Sequence, residues 1–233
     1  MLLMVDESRP RDDPRHNYRR DVQPDLGALY RASRLRISDL VTDDVDHVPV
    51  PATPLWTVHD VIAHLSGVTE DVMTGNLEGV TTDPWTAAQV ERGRQRTQTE
   101  MLSMWSRGAP LIEDFLSSPD GMSAFRAVLD VHTHEADLLN ALGRPVDLPR
   151  EFLSWMQPVL EHDFRAAVTA VGLADVQVTA SDLQWFRGRL GRRTEAEVST
   201  YRWSRDPQSY LDTWFVFGRA SHSLQETSTT DEA

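Results

Sequence analysis

The chain of 233 residues contains no cysteine. That absence excludes a disulfide framework, a thiolate zinc knuckle, an iron–sulfur cluster and a cysteine nucleophile, so any thiol chemistry must use a thiol from elsewhere. Lysine is absent as well: all 23 basic residues are arginine. Schiff-base catalysis, pyridoxal phosphate attachment and a Walker lysine are therefore ruled out. Positive charge is scarce, with 36 acidic residues against 23 basic ones and a formal net charge of −13, which argues against a sequence-independent grip on nucleic-acid phosphates. No segment approaches the roughly 18 consecutive apolar residues that cross a bilayer, and Met1–Val5 is too short for a signal-peptide core. The expectation is a cytoplasmic protein with neither a nucleic-acid nor a membrane partner. Internal repeats and low-complexity tracts are also lacking. What is present is 40% hydrophobic residues, including 7 Trp and 7 Phe, enough for a packed core. At roughly 150 residues per domain, the length allows one large domain or two modest ones.

Residues 1–24 are rich in Asp, Arg and Pro and poor in large apolar side chains, a composition that cannot repay the entropy of ordering and reads as a flexible arm. From Leu26 the pattern changes. Leu26, Leu29, Ile37, Leu40 and Val41 recur at helical spacing with Arg31, Arg34, Arg36 and Asp39 between them, which predicts an amphipathic helix. Prolines 49, 51 and 54 make a loop of the next stretch. Thr57 as N-cap, with Asp60 three residues on, opens a second helix marked by Val61, Ile62, Leu65, Val68 and Val72. Asp83 as cap and Pro84 in the first turn open a third, read as running through Val90 to Met101, Met104 and Trp105, with a bend near Pro110 before Leu116. Ser123 is read as the cap of a fourth helix that carries Phe125, Val128, Leu129, Leu138, Leu139 and Leu142 and stops at Gly143 and Pro145. Four amphipathic helices over residues 25–148 predict a four-helix bundle. Residues 149–225 read as a smaller α/β (α+β) domain: a helix over 151–171, a strand at 176–178, a helix over 181–190, a strand over 198–203 and a helix after Pro207. A disordered tail is expected over 226–233. The fold class is thus mainly α with a small α/β C-terminal part.

His64 falls on the buried stripe of the second helix. Asp130 and His134 are four residues apart on the fourth, about 40° apart on one face, and Asp137 lies a turn further along that face. Two neutral imidazoles and a carboxylate in a bundle core would make a three-ligand site with an open fourth position, the pattern of a catalytic rather than a structural zinc. Asp137 would fix a histidine tautomer or add a ligand. The plainer alternatives are a hydrogen-bonded core histidine at 64 and an ordinary surface pair at 130 and 134. His132 lies about 160° around the helix from His134 and reads as structural. Trp56 reads as a core or loop-packing aromatic.

The run Trp56-Thr57-Val58-His59-Asp60-Val61-Ile62-Ala63-His64-Leu65 resembles the Trp-x-x-x-Asp-x-x-x-His-Leu signature of the DinB-like metal-binding helical domain of the mycothiol-dependent maleylpyruvate isomerase family. Asp130-Val131-His132-Thr133-His134-Glu135-Ala136-Asp137, ending at Ala141-Leu142-Gly143, is similar to that family's Glu-x-x-x-His-x-x-Asp segment. Further on, Leu190-Gly191-Arg192-Arg193, Trp203 and Asp206-Pro207 resemble its Leu-x-Gly-Arg-Arg and Trp-x-x-Asp-Pro punctuation. The resemblance implies His64, Asp130 and His134 as ligands of Zn²⁺ or another divalent metal, with Asp130 standing where the family has Glu. It implies mycothiol as the thiol cosubstrate, whose sulfur the metal would activate, and isomerisation or S-transfer on a small electrophile.

An anionic substrate would need a counter-charge. Arg187, Arg189, Arg192 and Arg193 form the densest basic cluster in the chain, and guanidinium forks suit carboxylates; a solvated loop paired with Glu195 and Glu197 is the alternative. Two other functions fit the same residues: a non-catalytic small-molecule binding or stress-response module in which His64, Asp130 and His134 form a buried polar network, and a metal-assisted hydrolase.

Overall fold

In a computed structural model that describes residues 23–228, the carboxylate of Asp25 accepts from the amide of Ala28 and starts α1 (Leu26–Leu40). Nearly all of the arm expected at 1–24, and residues 229–233 of the expected tail, lie outside the described residues. The capping box read at Thr57 and Asp60 is present, with both side chains bonding the opposite backbone amide, and α2 (Val58–Thr74) follows it to a left-handed Gly75 at φ 73°.

The third helix departs from the reading. Thr82, not Asp83, occupies the N-cap position, and α3 (Asp83–Gly93) stops where a single helix to Leu116 was expected. A second Thr/Glu capping box, Thr97 with Glu100, starts α4 (Gln98–Leu116), which continues through Pro110. The Thr-x-x-Glu signal was in the sequence, but the unbroken apolar spacing concealed it. Ser123 does not cap the next helix: it sits in a 3-10 turn (Gly121–Ala124) and donates to the Asp120 carbonyl at 2.7 Å. From there α5 (Phe125–Ala141) begins without a side-chain cap.

Four long helices make the bundle, α1 packing on α4 and α5, and α2 on α4, while α3 lies against α2. The α2–α3 contact is close because glycines face side chains at two levels. A Cβ at Gly67 would stand 2.7 Å from Cβ of Gln89, and one at Gly93 would stand 2.2 Å from Cβ of Ala63. The 3.6-residue period therefore brings Gln89 down beside His64, one turn before Gly67. Residues 42–57 fold back on themselves, with Val50 donating to the Trp56 carbonyl and Val58 to that of Val48 at 2.9 Å each. That closure holds Trp56 at the start of α2.

By internal contacts, the chain divides into a helical unit, Asp25–Leu148 with the returning segment from Leu224, and a second unit, Pro149–Ser223. The returning segment is hydrogen-bonded: Val146 donates to the Thr227 carbonyl at 2.7 Å, and Asn140 to that of Leu224 at 3.1 Å. The second unit contains α6 (Arg150–Ala170), α7 (Asp182–Arg189), α8 (Glu195–Ser199) and α9 (Leu211–Trp214). Its sheet is one antiparallel pair, β1 (Val178–Thr179) with β2 (Arg202–Trp203), Val178 opposite Trp203. The strand expected over 198–203 is thus confined to its last two residues, because the capping box of Thr194 and Glu197 makes residues 195–199 helical. The fold is mainly α with a small α/β part. Among the described residues, no helix is long and apolar enough to cross a membrane.

Replacing Gly93 by alanine should force α3 off α2 and destabilise the protein by about 1–3 kcal/mol, the usual range for overpacking, although alanine is the better helix former. Urea unfolding of Gly93→Ala against wild type measures it.

Candidate metal centre

His64 extends from α2, and Asp130 and His134 from α5. Their ligand-type atoms lie within 4.8 Å of one another, so each could offer one donor to a common metal ion. The Asp130 carboxylate stands between the two rings, with Oδ2 at 3.2 Å from His64 Nε2 and Oδ1 at 3.6 Å from His134 Nε2. The imidazole centroids are 5.1 Å apart, edge to face. Both histidines are buried, whereas the side chain of Asp130 is 37% exposed and forms the solvent side of the group.

The far nitrogens decide what the near ones can do. His64 Nδ1 meets Gln89 Oε1 at 2.8 Å, and the amide nitrogen of Gln89 donates to the Asp71 carboxylate at 2.8 Å. The buried Nδ1 of His134 lies 3.5 Å from Oδ2 of Asp137, a side chain with no exposed surface. The Gln89 oxygen is an acceptor, which favours a hydrogen on Nδ1 of His64 and would leave its Nε2 able to ligate; Nδ1 of His134, by contrast, makes no hydrogen bond. Two imidazole Nε2 atoms and a carboxylate converging in this way fit a divalent cation by donor chemistry. The electrostatics agree. Burial acts to lower the pKa of His64, but the charge of Asp130 and the hydrogen bonds to Asp130 and Gln89 outweigh it and leave the pKa raised. Positive charge is favoured at this point of the bundle.

Trp56 is more than a loop-packing aromatic. Its ring lies 5.5 Å from the centroid of His64 and 5.8 Å from that of His134, stacked on the latter, and covers one side of the pair. His132 stands apart, as expected: it is fully buried, its Nδ1 meets the Val128 carbonyl at 2.8 Å, and burial pushes its pKa down to about 3. Gln89 and Asp71 were missed in the sequence, because a glutamine carries no ligand signal and Asp71 follows an equally acidic Glu70. The available sign was the helical spacing that puts Trp85, Gln89 and Gly93 on one face.

The arginines expected to meet an anionic substrate are buried. Arg187, Arg189, Arg192 and Arg193 are only 0%, 1%, 8% and 7% exposed. Arg189 bonds Asp163 and the carbonyls of Thr213 and Trp214. Arg192 donates to the Leu190 carbonyl at 2.7 Å, and Arg193 to Oε1 of Gln184 at 2.8 Å. Arg189, Arg192 and Arg193 thus place donors on groups within the second unit.

A helical bundle that gathers two histidines and an aspartate where a metal could sit defines a class of protein. Residues 26–139 match the family model described as mycothiol maleylpyruvate isomerase N-terminal domain, and the helical unit of this chain belongs to that family. The match ends before the second unit. Neither curated proteins nor solved structures gave a match.

Removing the carboxylate partner of a nearly buried guanidinium typically costs about 3–5 kcal/mol. Asp163→Ala should therefore destabilise the protein by roughly 3 kcal/mol, and small dicarboxylates should not restore the lost melting temperature. Restoration by an added carboxylate would return Arg189 to the list of anion-binding groups.

Proposed function

We propose that this protein is a metal-dependent enzyme that uses a low-molecular-weight thiol, mycothiol, for isomerisation or S-transfer on a small electrophilic substrate, with zinc as the metal. The observation that carries the proposal is the convergence of two histidine Nε2 atoms on one partly exposed carboxylate. The family of the helical unit supplies the thiol, and the chain, lacking cysteine, has no thiol of its own.

His64, Asp130 and His134 would hold the ion. Once bound there with a vacant position, a divalent ion lowers the pKa of an incoming thiol and makes thiolate available at neutral pH. The chain's own groups do the rest. Gln89 and Asp137 orient the rings, Trp56 covers one side of the histidine pair against water, and Asp130, the member open to solvent, can take the thiol proton on the carboxylate oxygen not used for ligation.

Protein purified without chelator should contain close to one divalent metal per chain by elemental analysis, and His134→Ala and His64→Ala should lose it. Chelation should lower the melting temperature, since an ion at about 100 times its Kd stabilises the native state by about 2.7 kcal/mol. Calorimetric titration with mycothiol should show binding to the metal-loaded form alone. A metal-free protein indifferent to chelator and thiol would overturn the proposal in favour of a non-catalytic binding module.

A further inference from the structure

Asp71 lies seven residues, about two turns, beyond His64 on α2. It is buried at 2% exposure. Its Oδ1 accepts from Nη2 of Arg92 at 2.7 Å and from Nδ2 of Asn76 at 2.8 Å, and its Oδ2 accepts from Nε2 of Gln89 at 2.8 Å. Gln89, at 1% exposure, spans from Asp71 to His64 in the space left by the missing side chain of Gly67. The proposed chemistry gives Asp71 itself no role.

We infer that Asp71, acting through Gln89, is a positioning residue that sets which nitrogen of His64 faces the metal centre; the inference deepens the proposed function and rests on it. A carboxylate only accepts. Facing one, Gln89 must present its NH₂ group to Asp71 and therefore its carbonyl to His64. The carbonyl accepts from Nδ1–H, the tautomer whose Nε2 lone pair an ion would need, while the Asp130 carboxylate 3.2 Å from Nε2 competes for the same hydrogen when no ion is bound. Arg92 and Asn76 fix the polarity at the far end, since both donate to the same oxygen of Asp71. The direction of every hydrogen bond in the row is thereby set about two turns of helix away from the ligand.

The test reverses the row one atom at a time. In Asp71→Asn the new amide keeps its oxygen toward Arg92 and Asn76, because the opposite orientation would set NH₂ against two donors. Its NH₂ then faces Gln89, which turns over and offers NH₂ to His64, and the imidazole moves its hydrogen to Nε2. Adding Gln89→Glu to that variant restores an acceptor opposite both the new amide and His64. The readouts are Co²⁺ and Zn²⁺ affinity by titration and the tautomer of His64 by ¹⁵N chemical shifts of the metal-free protein at alkaline pH, the latter with Asp130→Ala added throughout so that no carboxylate competes at Nε2. Asp71→Asn should weaken metal binding by about 10–100-fold, the usual effect of losing an outer partner of a ligating histidine, and should show the Nε2–H tautomer. The double variant should regain most of the affinity and the Nδ1–H tautomer, a rescue that a purely structural role would not give. An unchanged tautomer in Asp71→Asn, or a double variant no tighter than the single one, would overturn the inference. If Asp71→Asn does not fold, Gln89→Met replaces it and should populate both tautomers; retention of Nδ1–H alone would overturn the inference equally. A wild-type protein that binds neither ion would remove the metal reading, while the ¹⁵N measurement would still decide the relay.

Discussion

A carboxylate with an imidazole on either side, set into a helical bundle, constrains everything around it. Each histidine has two nitrogens and almost no water to satisfy them, so the ones turned away from Asp130 need acceptors supplied by the protein. Gln89 on α3 meets that need for His64, while Asp137 on α5 stands 3.5 Å from the corresponding nitrogen of His134. Gln89 can reach His64 only because α3 lies against α2 at Gly67 and Gly93. The glycines of one helix pair, the short helix outside the four long ones and the chemistry of the centre are thus parts of a single arrangement.

The remaining helices are registered by charge as well as by apolar packing. Glu113 of α4 is 2% exposed and accepts from Arg31 at 2.6 Å and from Arg34 at 3.0 Å, which ties α4 to α1. Glu135 of α5 accepts from Ser33 at 2.6 Å and from Nη2 of Arg36 at 2.8 Å, which ties α5 to the same helix. Such pairs contribute little net stability, because desolvation offsets their attraction, but a shifted register would leave a buried charge unpaired at a cost of several kcal/mol. Glu135 is the neighbour of His134 in sequence. Holding Glu135 against α1 therefore limits how α5 can rotate, and that limits where Asp130 and His134 point.

This is also where the sequence was hardest to read. Apolar periodicity marks charged residues as outward, yet Arg34 and Glu135 are both buried. On α5 the buried residues run without a break from Val131 to Leu138, and a helix buried on all sides has no polar face to betray its orientation. The helices themselves were legible where local chemistry announced them, as at Thr57 and Asp60. They were misjudged where an apolar pattern bridged a real stop, as between Gly93 and Thr97. His64, Asp130 and His134 could be found because ligand residue types are few and their spacing is periodic. Gln89 could not, because its role depends on what lies across a helix interface, and no spacing within one helix encodes that.

The arginines of the second unit show the same limit from the other side. In a chain without lysine, every cationic task falls to arginine, including structural ones. Guanidinium suits the interior better than an ammonium does, since it is weakly hydrated, planar and able to lie over aromatic rings. Arg189 stands 5.5 Å from the ring centroid of Phe164 and 5.9 Å from that of Trp214, within the cluster that Trp185 and Trp203 complete. It also ties α9 to α6 through two carbonyls and Asp163. A high local density of arginine in the sequence thus reflects how this small unit builds an aromatic core around cations. The Nη groups of Arg189 hold two carbonyls and a carboxylate and would have to release them to grip an anionic substrate, whereas its buried Nε makes no hydrogen bond.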